Sequence, residues 1–333
     1  MTSRTRHVFA LLLLPLVIPA GVFGQDSNII LAVEEVEERF RYQSFEILNM
    51  PSSRGLPSER TFAPTVKFED GAMLQMKFAP APKGGEAFNN RPQHEVAAYE
   101  IQKLFLDEVE YVVPPTVARC FAFDFLEAAI DKAPNRDAIE DPQPTFDQWR
   151  MSLVVLQYWL WNIDVAERND IRDRDRLEED EVFARHAGNF NILTYLIRHN
   201  DSNDGNFLIS TDPANPRVFA VDNGLAFSNE ESDRGTYWRD IKLDRFPAKT
   251  IQRLRAITLE DLQAAVGVVA QFEIGPGGNF VQVDATENFD PDKGVRYTAS
   301  GVQLGLTESE IRNIHRRVTQ LVEWVDGGRY ETF

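Results

Sequence analysis

The sequence predicts an α+β chain of two lobes, a strand-containing first lobe and a mostly helical second one. Three observations carry this expectation. Short apolar runs closed by turn residues fall in the first half, Thr65-Val66-Lys67-Phe68 and Met73-Leu74-Gln75-Met76-Lys77-Phe78. Apolar residues at three- or four-residue spacing dominate the second half, most clearly from Asp180 to Arg198. The chain has 333 residues, 43% of them hydrophobic and 26% charged, so it can bury a sizeable core and is neither disordered nor a multi-span membrane protein.

The elements follow in order. Ile30, Val33, Val36 and Phe40 share one helical face, which predicts a helix over 29–41. A Pro-, Ser- and Gly-rich loop follows from Asn49 to Gly55. Glu69-Asp70-Gly71 joins the two strand-like runs into a hairpin. Residues 80–92 read as loop and 94–106 as an amphipathic helix carrying Val96, Tyr99, Leu104 and Phe105. Pro114 and Pro115 push 112–119 into extended structure, because the residue before a proline avoids the helical region. Ala128 to Thr145 is acidic and Pro-containing and reads as an insertion or surface loop. Ser152 to Trp161 is apolar and β-capable, and links the lobes. Beyond the helix at 180–198, Phe207-Leu208-Ile209 and Val218-Phe219-Ala220-Val221 flank the turn Asp212 to Pro216 as two short strands. Thr258 with Asp261, and Thr307 with Glu310, have the spacing of helix capping boxes.

The formal charge of −17 argues against a nucleic-acid-binding protein, since phosphate contacts need clustered Lys and Arg. A single cysteine, Cys120, excludes a disulfide framework and a Cys-rich zinc site. Arg4 and Arg6, an apolar run from Val8 to Ile18 and small residues up to Gly24 have the layout of an export signal. The run is short for a membrane span. The division expected is 1–24 signal peptide, 25–160 first lobe with the acidic insertion, and 161–333 helical second lobe, in an exported protein (periplasmic or secreted) with no stable membrane span.

Three separated pieces carry chemistry. Lys77 is a cation within an apolar strand, on the same face as Gln75, and needs an anionic partner. Glu95 or Glu100 on the next helix can supply it, leaving Lys77 held toward a nucleotide phosphate. The second piece is His199-Asn200-Asp201-Ser202-Asn203-Asp204-Gly205-Asn206. An Asp followed by four residues and an Asn, with a His two positions before, has the spacing of a kinase catalytic loop. Asp201 is then the base for a hydroxyl proton and Asn206 a metal ligand. An EF-hand reading of the same stretch places Thr211 where a Glu is required. Asn200-Asp201-Ser202 also matches a glycosylation acceptor, which would block the site. The third piece is Asp222, ending the strand Val218–Val221 and followed by Asn223-Gly224, where a metal ligand belongs. Asp222 and Asn206 offer the hard oxygens that Mg²⁺ or Mn²⁺ takes alongside phosphate.

With these residues, the chain resembles the atypical kinase superfamily: the phosphatidylinositol 3-/4-kinases, the HipA kinases and the Four-jointed and Golgi casein-kinase secretory enzymes. The resemblance runs from about Val66 to the C-terminal helices. It rests on the paired strands through Lys77, on Glu95-Val96-Ala97-Ala98-Tyr99 before Val113-Pro114-Pro115-Thr116-Val117, and on Asp201 to Asn206. Val221-Asp222-Asn223-Gly224-Leu225-Ala226-Phe227 is its most specific stretch. It implies a bilobal protein-kinase-like fold, Glu95 as the partner of Lys77, and ATP with Mg²⁺ or Mn²⁺ as cofactor. It further implies transfer of the γ-phosphate to a hydroxyl acceptor, a protein before a sugar or a lipid. Two departures stand out. Ser202 and Asn203 replace the family's Arg-His, so that His199 is left to supply positive charge from the other side. No Gly-rich phosphate loop is present, and Ser52-Ser53-Arg54-Gly55 is the stretch in its place.

These departures set a second expectation beside the kinase, a pseudokinase acting as a nucleotide-binding or regulatory module. An exported carbohydrate- or calcium-binding protein is the third. The chain has no Gly-x-Ser-x-Gly elbow and no His-Glu-x-x-His pair, so a hydrolase finds no support.

Overall fold

The computed structural model describes residues 27–54 and 60–333. The stretch read as an export signal and Gly55 lie outside the described residues. No helix among the described residues is long and apolar enough to cross a membrane.

The first half forms α1 (Val33–Tyr42), β1 (Phe45–Ile47), β2 (Thr65–Phe68), β3 (Met73–Pro80), α2 (Pro92–Gln102), β4 (Thr116–Ala122), α3 (Phe123–Ile130) and β5 (Met151–Tyr158). The strands make one antiparallel sheet in the order β1-β2-β3-β5-β4. Period-two alternation sorts its faces. Leu74, Met76 and Phe78 of β3 join Val36 and Phe40 of α1 and Leu126 of α3 in one apolar core. Lys77, on the intervening face, points the other way, opposite Gln157 of β5.

The second half forms β6 (Ile163–Val165), α4 (Arg168–Ile171), α5 (Arg174–Glu179), α6 (Glu181–Leu196), β7 (Phe207–Ser210), β8 (Val218–Ala220), β9 (Arg245–Phe246), α7 (Ala248–Ala256), α8 (Leu259–Val266), β10 (Ala270–Ile274), β11 (Phe280–Val283), β12 (Val295–Tyr297), β13 (Gly301–Leu304), α9 (Glu308–Asp326) and β14 (Glu331–Thr332). Helix α6 starts where Asp180 accepts from the Phe183 amide, and its fully buried Phe183, Phe190, Leu193 and Leu196 organise the helical core with α7, α8 and α9. Both expected capping boxes form, Thr258 with Asp261 at α8 and Thr307 with Glu310 at α9.

Three features differ from the sequence reading. Helix α3 was not expected, although Phe123, Leu126, Ala129 and Ile130 have helical spacing and are buried. The stretch 128–145 is acidic only on its outer side. Asp131, Asp137, Glu140 and Asp141 are exposed, while Ile130, Ala133 and Ile139 anchor it in the first core. The third is a four-stranded sheet, ordered β11-β10-β13-β12, within a stretch expected to be helical. It does not join the helical core. Its Phe272, Phe280, Val302 and Leu304 pack with Ala118, Cys120, Met151 and Leu153, so it covers the second face of the first lobe's sheet. The architecture is a bilobal α+β fold in which α2 lies between the strand-rich lobe and the helices.

Candidate functional site

Hairpin register sets one side of the site. Strands β7 and β8 pair with Phe207 opposite Ala220, and the Val221 amide continues the ladder to the Asn206 carbonyl at 2.8 Å. Asn206 and Asp222 therefore emerge at the same end of the hairpin. Asp222 takes a left-handed backbone, φ 61°, a conformation rare for side chains other than Asn and Asp and common where function holds it. The chain turns there, and the next amide, of Asn223, donates to Glu95 Oε2 at 3.1 Å. Gly224 lets this turn press on the first lobe. A Cβ at that position would meet the Asn89 carbonyl oxygen at 3.0 Å.

The first lobe supplies the other side. Lys77 Nζ donates to Glu95 Oε1 at 2.9 Å, with side chains only 12% and 8% exposed. Glu100, the alternative partner, lies about 140° further round the helix axis and pairs with Arg41 and Lys103 instead. Lys77 Nζ also lies 3.6 Å from Asp222 Oδ1. Burial pushes the Lys77 ammonium down, but the charges of Glu95 and Asp222 outweigh it and hold the group above its ordinary value. Burial likewise pushes Asp222 up, and Lys77 and Arg54 more than reverse this, so its carboxyl stays below the usual range.

Asp201 completes the set. Asn206 Nδ2 donates to Asp201 Oδ2 at 3.0 Å and to its carbonyl at 3.2 Å. This uses the Asn206 Nδ2 on Asp201 and leaves Oδ1, the right atom for a cation, turned away from it. Asp201 Oδ1 is left without a hydrogen-bond partner among the described residues. All five residues singled out from the sequence (Lys77, Glu95, Asp201, Asn206 and Asp222) are thus linked around one point.

Asn200 and Ser202 in the 199–206 loop are structural. Asn200 is fully buried, its Nδ2 donating to the Ser228 carbonyl at 2.8 Å, so it does not present a glycan acceptor. The Ser202 amide donates to the Gly235 carbonyl, and Ser202 Oγ accepts from the Trp238 amide. These ties dock residues 228–238 beside Asp201 and leave no EF-hand ligand set. His199 does not supply charge. It is 1% exposed, and burial depresses its basicity to about 4, against the opposing pull of Asp201 and Asp222, so it is neutral at pH 7.

Arg54 has the part that sequence reasoning gave only to its loop. Ser53 donates its amide to the Thr61 carbonyl, and Phe62 exchanges backbone hydrogen bonds with Phe78, the neighbour of Lys77. The loop is thereby fixed beside β3. Arg54 Nη2 donates to Asp222 Oδ2 at 2.8 Å and to Asn206 Oδ1 at 3.3 Å. A cationic nitrogen thus already rests on the two oxygens expected to bind a metal. The donor set fits a hard divalent cation, because it accepts a positive charge at that point and offers oxygen only.

His94 was also missed. It precedes Glu95 on α2, and its Nδ1 lies 3.2 Å from the Gly224 carbonyl while Nε2 lies 3.0 Å from Glu310 Oε1. A buried polar residue next to Glu95 was the available signal.

No protein-family model matches the chain. No curated protein sequence matches it either. Among solved structures, the chain is similar to a golgi casein kinase, at 12% identity and a TM-score of 0.47 over 89% of this chain and 76% of that one. It is also similar to hydra Fam20 with sugar, at 11% identity and a TM-score of 0.49 over 89% and 88%. The strand lysine paired with a helix glutamate, above a hairpin that carries Asn206 and Asp222 at one end, makes this a bilobal kinase-like fold.

Proposed function

We propose that the chain is an exported, ATP-dependent phosphotransferase that moves a γ-phosphate to a hydroxyl acceptor, a protein before a sugar or a lipid. The observation that carries this reading is the convergence of Lys77, Glu95 and Asp222 within two ion-pair contacts, at 2.9 and 3.6 Å. Such a site acts by positioning and by charge neutralisation. Lys77, braced by Glu95, is the group that meets a nucleotide phosphate. Asp222 and Asn206 are the residues that hold Mg²⁺ or Mn²⁺, and the bound metal supplies charge neutralisation on the phosphate oxygens. Asp201, with one oxygen held by Asn206, offers the other to the proton of the acceptor hydroxyl.

Thermal unfolding with ATP, with and without Mg²⁺ or Mn²⁺, tests this in the wild type and in Asp222→Ala. Ligand that binds the folded state raises Tm by mass action. The expected result is a metal-dependent rise that Asp222→Ala abolishes, followed by phosphate transfer in an acceptor screen. No rise with any nucleotide sinks the reading. A rise without transfer to any acceptor favours the pseudokinase, which the buried structural use of Ser202 supports, since no arginine stands at that position.

A further inference from the structure

Resting on the kinase reading, the geometry points to Arg54 as a built-in counter-cation of the metal position. We propose that it releases the Asp222 and Asn206 oxygens only when a polyphosphate arrives, so that divalent metal binds with nucleotide and is resisted without it.

Four observations carry this. One nitrogen of Arg54 bridges the two oxygens, at 2.8 and 3.3 Å. A divalent ion sits about 2.0–2.6 Å from such oxygens, so ion and guanidinium compete for one place. The second Asp222 oxygen faces Lys77 at 3.6 Å. The two Asp222 oxygens thus already face cations, Arg54 on one and Lys77 on the other. A divalent ion arriving alone meets the repulsion of both at close range. A nucleoside triphosphate is still anionic after taking one divalent ion, so the pair enters without that penalty.

The two cations also differ in exposure. The Lys77 side chain is 12% exposed, whereas that of Arg54 is 41% exposed on a loop. Arg54 can turn from carboxylate to phosphate, and a guanidinium suits both. The loop beside Asp201 carries Ser202 and Asn203 and His199 is neutral, so Arg54 stands where positive charge on the transferred phosphate is otherwise missing.

The test is a Mn²⁺ titration of the full chain, read by the electron paramagnetic resonance signal of the free ion, with and without a non-hydrolysable ATP analogue. Wild type, Arg54→Gln, Arg54→Lys and Asp222→Asn are compared. Wild type should bind Mn²⁺ weakly alone and much more tightly with the analogue. Arg54→Gln should bind Mn²⁺ alone about tenfold more tightly than wild type, and gain less from the analogue. Arg54→Lys, which keeps the charge but not the fork, should fall between. Asp222→Asn should lose binding in both conditions. Nucleotide-dependent Mn²⁺ binding that Asp222→Asn removes, with Arg54→Gln no tighter for Mn²⁺ alone, overturns the role of Arg54 and spares the kinase reading. Absence of nucleotide-dependent binding in wild type overturns both.

Discussion

His94 Nε2 lies 3.0 Å from Glu310 Oε1, a contact that ties the first turn of α2 to the start of α9. The other ring nitrogen reaches the Gly224 carbonyl, two residues past Asp222. One imidazole thus connects the helix bearing Glu95, the turn bearing Asp222 and the capping box of the last long helix.

Glu310→Gln should cost about 1–3 kcal/mol at pH 7, read by urea unfolding. Burial raises the Glu310 carboxyl, but the His94 bond and charge and the Thr307 cap outweigh it and hold it down at about 2. The folded value lies below the unfolded one near 4.5, so this stabilisation is complete above about pH 4.5 and is lost as pH falls toward 2. The difference between variant and wild type should shrink across that window. A constant difference would contradict the assignment.

Lys77→Met should destabilise the unliganded protein by about 3 kcal/mol, because it leaves Glu95 charged and 8% exposed without its cation. Adding Glu95→Gln should restore part of the loss, since a neutral amide needs no counter-charge and still accepts from the Asn223 amide. Both variants should lose the nucleotide-dependent rise in Tm. Additive costs in the double variant would show that the two side chains do not act as a pair.

Asp201→Asn should lower phosphate transfer about 10²–10⁴-fold while leaving nucleotide binding within twofold, about the span expected when a general base is lost. The measurement is single-turnover transfer set beside a binding titration. Equal losses in both would reassign Asp201 to ligand binding.

His186 and His199 are buried, and burial holds their basicity down at about 3 and about 4. Their folded values lie below the unfolded value near 6.5, so the unfolded chain takes up protons first. Their contribution is complete above about pH 6.5 and fades as pH drops toward 4. Urea midpoints at pH 7.5 and pH 5 should therefore differ by more in wild type than in His199→Gln.

The parts of the site that local pattern encodes were legible in the sequence. Lys77 shows as a cation in an apolar strand, and Asp222 as an acid closing one. The interval from Asp201 to Asn206 shows in the loop itself. The partner of Lys77 was legible only as one of two glutamates, because Glu95 and Glu100 face different sides of α2 and which side meets β3 is set by packing. Arg54 and His94 act through contacts 168 and 216 residues away, which no window of sequence displays. Strands β10 to β13 escaped for a related reason. They are three to five residues long, broken by Gly and Pro, and take their meaning from the sheet they cover.

That late sheet also sets an order of events during synthesis. Ala118, Cys120, Met151 and Leu153 leave the ribosome early, and the residues that cover them, Phe272 to Leu304, come more than a hundred positions later. Until then one flank of the first lobe stays greasy and open, the kind of surface that recruits chaperones or aggregates. Contacts of such long sequence separation also slow the search for the native state. A nascent or truncated chain ending before β10 should thus stick to its neighbours, and the first lobe becomes a finished object only when the end of the chain returns to close it.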